Sequence, residues 1–328
     1  MKNLKIDKIE IIKVLTVLIL FFILLIPLPY SIILGGGTID VSKRIEIDNK
    51  KLKTNRFKIA YVSEVKGNVL TYTLGKLNPY WEVESILDYA YDEKESPEDI
   101  ERRHKLDLET SLNYATKVAY EAAEKEIEII NEKMLLYYII EENRQGLKVG
   151  DEFISYDDIK LEKTPDLLEY VQTKEIGDEI KLKFKRDKKI IEKNVKVYLN
   201  EDKEKRIGIA LQKSFDIKTE PPIKFSFKDN EQGSSAGIII ALSIYDALMK
   251  NKDRGLVVGS GSLDSEGKIS PIGGVKYKMH GAHKAKAKYF IVADDNYEEA
   301  KKVLKEKKYK FKLIKANTLK EAIINLDK

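Results

Sequence analysis

The sequence predicts an α+β protein in two globular parts behind an apolar N-terminal helix. Three observations carry this. The chain has 328 residues, enough for two domains of ordinary size and an anchor. One long uncharged apolar run stands near the N-terminus. Behind it, short β-branched runs alternate with stretches of helical period, first mostly strands and later strand and helix in turn.

The apolar run is VLTVLILFFILLIPLPYSIIL, Val14 to Leu34. Twenty-one residues rising 1.5 Å each can cross a hydrocarbon core of about 30 Å. Lys2, Lys5, Lys8 and Lys13 precede the run, making residues 1–13 a basic cytoplasmic tail and placing everything after Leu34 outside. The expectation is a retained single-pass transmembrane helix over 14–34, with the lipid bilayer as partner and an extracytoplasmic body. A cleaved signal peptide would have a shorter apolar core and a small-residue cleavage site.

Apolar residues make up 43% and charged residues 34%, a globular balance. The net charge of +5 is the small difference between 59 bases and 54 acids, spread along the chain, which speaks against nucleic acid. There is no cysteine, so disulfides, thiolate metal sites and a cysteine nucleophile are excluded. Three histidines, His104, His280 and His283, leave little room for a metal centre or a histidine-based triad.

Residues 35–128 read as a lead-in to the first globular part. Arg56 to Leu74 predicts two strands joined at Gly67-Asn68 as a hairpin, and Tyr80 to Arg103 a charged, largely helical excursion with a helix start at Ser96-Pro97-Glu98. Leu108 to Ile130 predicts a packed helix with Leu112, Ala115, Val118, Ala119 and Ala122 on one stripe.

Residues 129–200 predict a β-rich unit: a strand at Leu135 to Ile140, the turn and strand of GLKVGDEFISYDD from Gly146, a helix opening at Thr164-Pro165, and strands at Ile176 to Phe184 and Ile190 to Val197. With Leu147, Gly150, Asp151 and Phe153 in its Leu-x-x-Gly-Asp-x-Ile strand entry, this stretch resembles a PDZ domain. That resemblance implies capture of an extended or C-terminal peptide by strand addition. The Gly-rich carboxylate loop expected before Leu135 is replaced by Glu132, Lys133 and Met134.

Residues 207–328 carry the chemistry. GSSAG, Gly233 to Gly237, runs straight into the helical IIIALSIYDALMK, so Ser235 would sit beside unpaired amides at a helix start. Such amides suit an oxyanion, and small neighbours such as Gly233 let a substrate backbone approach. Alone, the motif reads first as a helix cap. A second segment, LVVGSGSLDSEGKISPIGGVK from Leu256 to Lys276, adds a strand, a polar hairpin and a glycine turn into a lysine-bearing helix.

Together the two segments resemble the Lon proteolytic domain. The resemblance implies an α/β domain in which Ser235 of Ser234-Ser235-Ala236-Gly237 is the nucleophile. Lys276 of Pro271-Ile272-Gly273-Gly274-Val275-Lys276 is then the base, and Ser260 supports the lysine. Ser234 stands where the family has proline and adds a neighbouring hydroxyl. Lys278 is a rival base, about 200° round the helix from Lys276. An ordinary lysine has a pKa of about 10.4, so a lysine base needs an apolar pocket to be neutral.

The order of span, PDZ-like unit and Lon-type domain resembles the bacterial membrane-anchored PDZ-Lon (YlbL-like) serine proteases. This implies an endopeptidase with a Ser-Lys dyad, acting on exported peptides or unstructured proteins, without metal or other cofactor, and capable of forming homo-oligomeric rings. No Walker A sequence occurs, so powered unfolding is not expected. The other class the sequence admits is a non-catalytic membrane-anchored PDZ scaffold.

Overall fold

The computed structural model describes residues 8–52, 56–78, 80–90, 94–144, 146–161, 163–250 and 253–327. Helix α1, Lys8–Leu24, is apolar on every side and its side chains are exposed throughout. It stops short of the expected span. Strand β1, Pro27–Asp40, takes over at the two prolines, and Ile32 and Ile33 are buried in a sheet. Pro27 and Pro29 have no N–H to continue a helical ladder, and the β-branched residues beyond them suit a pleated surface. The single helix expected over Val14 to Leu34 is thus a helix and a strand. Among the described residues no helix is long and apolar enough to cross a membrane.

Strand β2, Phe57–Asn68, runs through Gly67 without turning and pairs antiparallel with β1 from Pro27↔Asn68 to Asp40↔Lys58. The hairpin expected at Gly67-Asn68 is replaced by a helix start. The Asn68 side chain accepts from the Thr71 N–H at 2.8 Å, and the Thr71 hydroxyl accepts from the Asn68 N–H at 2.8 Å. That reciprocal cap opens helix α2, Val69–Leu77. Strand β3, Glu82–Ser85, joins the other edge of β1. Helix α3, Pro97–Ala122, begins where Ser96 caps the Asp99 N–H at 3.2 Å, and is one helix where two were expected.

The PDZ-like unit follows. Strand β4, Glu126–Ile139, leads to β5, Glu152–Tyr156, helix α4, Thr164–Gln172, the hairpin of β6, Glu179–Arg186, with β7, Lys189–Lys196, and a long return strand β8, Ile209–Glu220. The sheet order is β7-β6-β5-β4-β8. Its own core holds Leu136, Phe153, Leu167, Val171, Leu182 and Phe184. The Asp151 carboxylate, 2% exposed, accepts from Arg186 Nε at 2.6 Å and Nη2 at 2.7 Å.

The remaining elements are helix α5, Gly237–Met249, strand β9, Val257–Gly259, helix α6, Val275–Lys284, strand β10, Tyr289–Ala293, helix α7, Tyr297–Lys307, strand β11, Lys312–Ala316, and helix α8, Leu319–Asp327. Their strands join the N-terminal ones in one six-stranded sheet, β11-β10-β9-β2-β1-β3. Residues 35–128, expected to lead into the PDZ-like unit, are therefore built into the C-terminal domain's sheet, and the PDZ-like unit is an insertion. Helices α3, α5 and α8 cover one face, packing on Ile59, Val257 and Ile291. Helix α6 covers the other, with Val275, Met279 and Ala282 against Ala60, Val258 and Phe290. Burial on both faces explains the unbroken apolar strands.

Candidate active site

Ser235 lies where β9 ends and α5 begins. Its carbonyl accepts from the Gly261 N–H at 2.8 Å and from the Ser260 hydroxyl at 2.9 Å. The next link runs the other way, from the Ile238 N–H to the Gly261 carbonyl at 3.1 Å. These bonds clamp the turn 234–238 onto the end of β9. Ser260 is completely buried and spends its hydroxyl on this clamp, not on a lysine as expected.

The neighbours are fixed from the α3 side. The Gly233 N–H donates to the His104 carbonyl at 2.9 Å, and the Ser111 hydroxyl donates to the Ser234 carbonyl at 3.0 Å. Gly233 has φ +90°, a left-handed conformation that favours glycine. A Cβ on Gly237 would lie 3.0 Å from both the Leu263 nitrogen and the Ser111 hydroxyl, so only glycine lets α3, α5 and the 262–270 hairpin approach this closely. The Ser234 hydroxyl is paired with that of Ser262 at 2.7 Å. Among the described residues the Ser235 hydroxyl has no hydrogen-bond partner, and neither do the N–H groups of Ser235 and Ala236.

Ser235, Gly233 and Ala236 line a cleft of about 1060 Å³ that runs along β2 from Ile59 to Lys66 and is walled opposite by α3 and by residues 227–232. β9 covers β2 only from Phe57 to Ile59. Beyond Ile59 the cleft-side edge of β2 has no strand partner among the described residues, so its backbone groups are available to an extended chain.

The two lysines of α6 have opposite environments. Lys276 is exposed, with its amine 4.9 Å from the Tyr277 ring centre. Lys278 is 5% exposed, and its amine has no hydrogen bond or ion pair among the described residues. Burial without compensation pushes its pKa down to about 8. The apolar pocket expected around Lys276 is therefore found at Lys278. The reason is helical geometry: Val275, Lys278, Met279 and Ala282 repeat at i, i+3, i+4 and i+7 and face the sheet, while Lys276 faces solvent. The first turn of α6 abuts the cleft, since a Cβ on Gly274 would lie 3.2 Å from Val62, which lines the cleft with Ser235.

Ser111, Ser262 and the His104 carbonyl reach the site across the fold, and no local pattern points to them. Among the described residues no group of His, Asp and Glu side chains is placed to hold a metal.

A serine with an unpaired hydroxyl, two unpaired amides beside it, an open strand edge and a buried unpaired lysine in one domain are parts that a serine hydrolase needs. Comparison with known proteins agrees. Residues 213–326 match the Lon protease (S16) C-terminal proteolytic domain, and residues 138–197 match the PDZ domain. The chain is similar to Lon protease 1 of Syntrophobacter fumaroxidans, 36% identical over 101 residues, and to the Lon protease of Campylobacter jejuni, 32% identical over 94 residues. These alignments cover 30% and 28% of this chain, and 12% of each relative. A solved PDZ domain of an SdrC-like protein from Listeria monocytogenes is 18% identical, covering 26% of this chain and 92% of that one, with a TM-score of 0.23. Residues 213–326 are thus similar to a Lon proteolytic domain and residues 138–197 to a PDZ domain.

Proposed function

We propose that this chain is a serine endopeptidase of the membrane-anchored PDZ-Lon kind that works without a nucleotide, with Ser235 as nucleophile and Lys278 as general base. The observation that carries this reading is the buried, unpaired amine of Lys278 in the same domain as the free hydroxyl of Ser235. A lysine titrating near pH 8 is largely able to accept a proton under mildly alkaline conditions, as a base must.

In this reading an extended segment of substrate lies along the open edge of β2, presenting a carbonyl to Ser235. Lys278 takes the hydroxyl proton as the Ser235 oxygen bonds to the carbonyl carbon. The N–H groups of Ser235 and Ala236 receive the oxyanion. The tetrahedral adduct collapses to an acyl-enzyme when Lys278 returns the proton to the leaving amine. A water, deprotonated by the same lysine, then releases the acid. The exposure of Lys276 speaks against it as the base.

Helix α1 supports the anchored part of the reading. Its 17 residues rise through about 25 Å and expose apolar side chains on all sides, a surface that water does not favour and lipid does. With the preceding lysines kept in the cytoplasm, the cleft lies outside, and exported peptides or unfolded proteins are the substrates.

The test is hydrolysis of an unfolded protein by the full chain in detergent, without nucleotide. Wild type is expected to cleave it and Ser235→Ala to lose cleavage by at least about a thousandfold. Equal cleavage by both would overturn the assignment of the nucleophile, and cleavage by neither would favour a scaffold. Release of the chain from membranes by salt alone would remove the anchored reading and leave the dyad untouched.

A further inference from the structure

A helix on the surface of a globular domain turns its apolar stripe to the core and its polar side to water. Helix α2 does the opposite. Its inward face carries Gly75, where a Cβ would lie 2.7 Å from the Val83 side chain and 3.3 Å from that of Ile32. A larger residue at this position would collide with β1 and β3, so the glycine sets which side of the helix faces in. Tyr72 faces the same way, its ring centre 4.8 Å from that of Tyr30. The outward face carries Leu70, Leu74 and Leu77, spaced i, i+4 and i+7 and exposed to 39%, 43% and 75%. Thr73 shares that face, and its hydroxyl donates to the Val69 carbonyl at 2.7 Å, which gives it a partner within the helix.

The leucine stripe continues a second apolar surface. The Val69 N–H donates to the Ile26 carbonyl at 3.2 Å, and α2 touches α1. Helix α2 therefore starts where α1, read above as the anchor, has just ended. Leu24, Leu25 and Ile26 are exposed at that junction and add to the same surface. Lys76 and Tyr80, both exposed, flank Leu77, and they are residue types that hold a chain at the level of lipid headgroups. A second copy of the chain fits this face less well, because three leucines fall far short of the roughly 800 Å² per partner that a stable interface buries.

We propose that α2 is a second membrane contact, lying in the interfacial layer of a lipid bilayer through Leu70, Leu74 and Leu77 beside the end of the anchor. The inference rests on the anchored reading above. Asn68 both ends β2 and caps α2, so a docked α2 turns the Lys66 end of the open β2 edge toward the bilayer.

The test uses the full chain reconstituted in phosphatidylcholine vesicles. Because the chain has no cysteine, a single introduced one carries a nitrobenzoxadiazole label at a chosen position. Leu18→Cys reports on α1, Leu74→Cys on α2, and Ile190→Cys on an equally apolar, exposed position of the PDZ-like hairpin. Lipid carrying a nitroxide near the top of its acyl chain is expected to lower the Leu74 signal at least about twofold and to leave the Ile190 signal unchanged. The Leu18 signal is expected to fall most with a nitroxide deep in the chain. Leu77→Cys repeats the measurement if the Leu74 variant does not fold. Quenching at Leu18 with none at Leu74 or Leu77 would overturn the proposal and leave the anchor standing. No quenching at Leu18 would remove the anchored reading, and this inference with it. Quenching at Ile190 equal to that at Leu74 would show that the label, not the helix, seeks lipid. A Leu74 label shielded from aqueous iodide yet untouched by the nitroxide would put a protein on this face, a second copy included, and would equally overturn the proposal.

Discussion

The Ser260 hydroxyl donates to the Ser235 carbonyl at 2.9 Å, and the adjacent Gly261 N–H donates to the same oxygen at 2.8 Å. This double acceptance ties the turn before α5 to the end of β9. Ser260 acts through the Ser235 backbone, as a positioning residue. Ser260→Ala is expected to lower kcat by about 10- to 100-fold with KM near that of wild type, since small misplacements at a reacting centre cost this much. The Gly261 bond remains, so the loss of stability in urea unfolding should be only about 1 kcal/mol. Unchanged kcat would show that Gly261 suffices.

Ser234 has its hydroxyl occupied by Ser262 at 2.7 Å, while that of Ser235 is free toward the cleft. Ser234→Ala is therefore expected to keep activity within about fivefold of wild type, and Ser235→Ala to lose it. Steady-state cleavage of a fluorogenic peptide checks this. The reverse order would move the nucleophile one residue.

Much of this was legible in the sequence because local signals agreed with the tertiary outcome. The GSSAG turn before an apolar helix, the alternation from Leu256 onward and the Gly150-Asp151 strand entry all became the elements expected. What failed turned on choices that a local pattern leaves open. Gly67-Asn68 is as good a hairpin turn as a helix cap, and Thr71 decides for the cap. The apolar run from Val14 continues past Leu24 because a buried strand is as apolar as a membrane helix. The choice between Lys276 and Lys278 needed the face of α6 that meets the sheet, and a single helical phase of Val275, Met279 and Ala282 would have indicated Lys278.

The pH profile follows from the buried amine. As the proposed base, Lys278 would accept the serine proton only when neutral, so kcat/KM is expected to rise tenfold per pH unit below about 8 and to level off above it. Stability has the same cause. The unfolded chain holds the lysine proton up to about pH 10.4, whereas the folded chain releases it near 8, so this group makes unfolding free energy rise between those values. Below pH 8 the full cost is present, roughly 3 kcal/mol. Lys278→Met should remove it and raise the urea midpoint at pH 7, while Lys276→Met should leave the midpoint unchanged.

Arg103 and Glu95 form a buried bidentate pair with distances of 2.6 and 2.8 Å where α3 begins. Removing one partner leaves the other charge buried. Arg103→Leu is expected to cost about 3–5 kcal/mol in unfolding free energy. A loss below about 1 kcal/mol would mean that water reaches Glu95.

The most direct measurement compares cleavage of one fluorogenic peptide by Lys278→Met and Lys276→Met at pH 8, with near-ultraviolet circular dichroism confirming that both are folded. Lys278→Met is expected to lose at least about a thousandfold in kcat/KM, with Lys276→Met within about fivefold of wild type. Loss of activity in Lys276→Met and its retention in Lys278→Met would contradict the assignment of the buried lysine as the base.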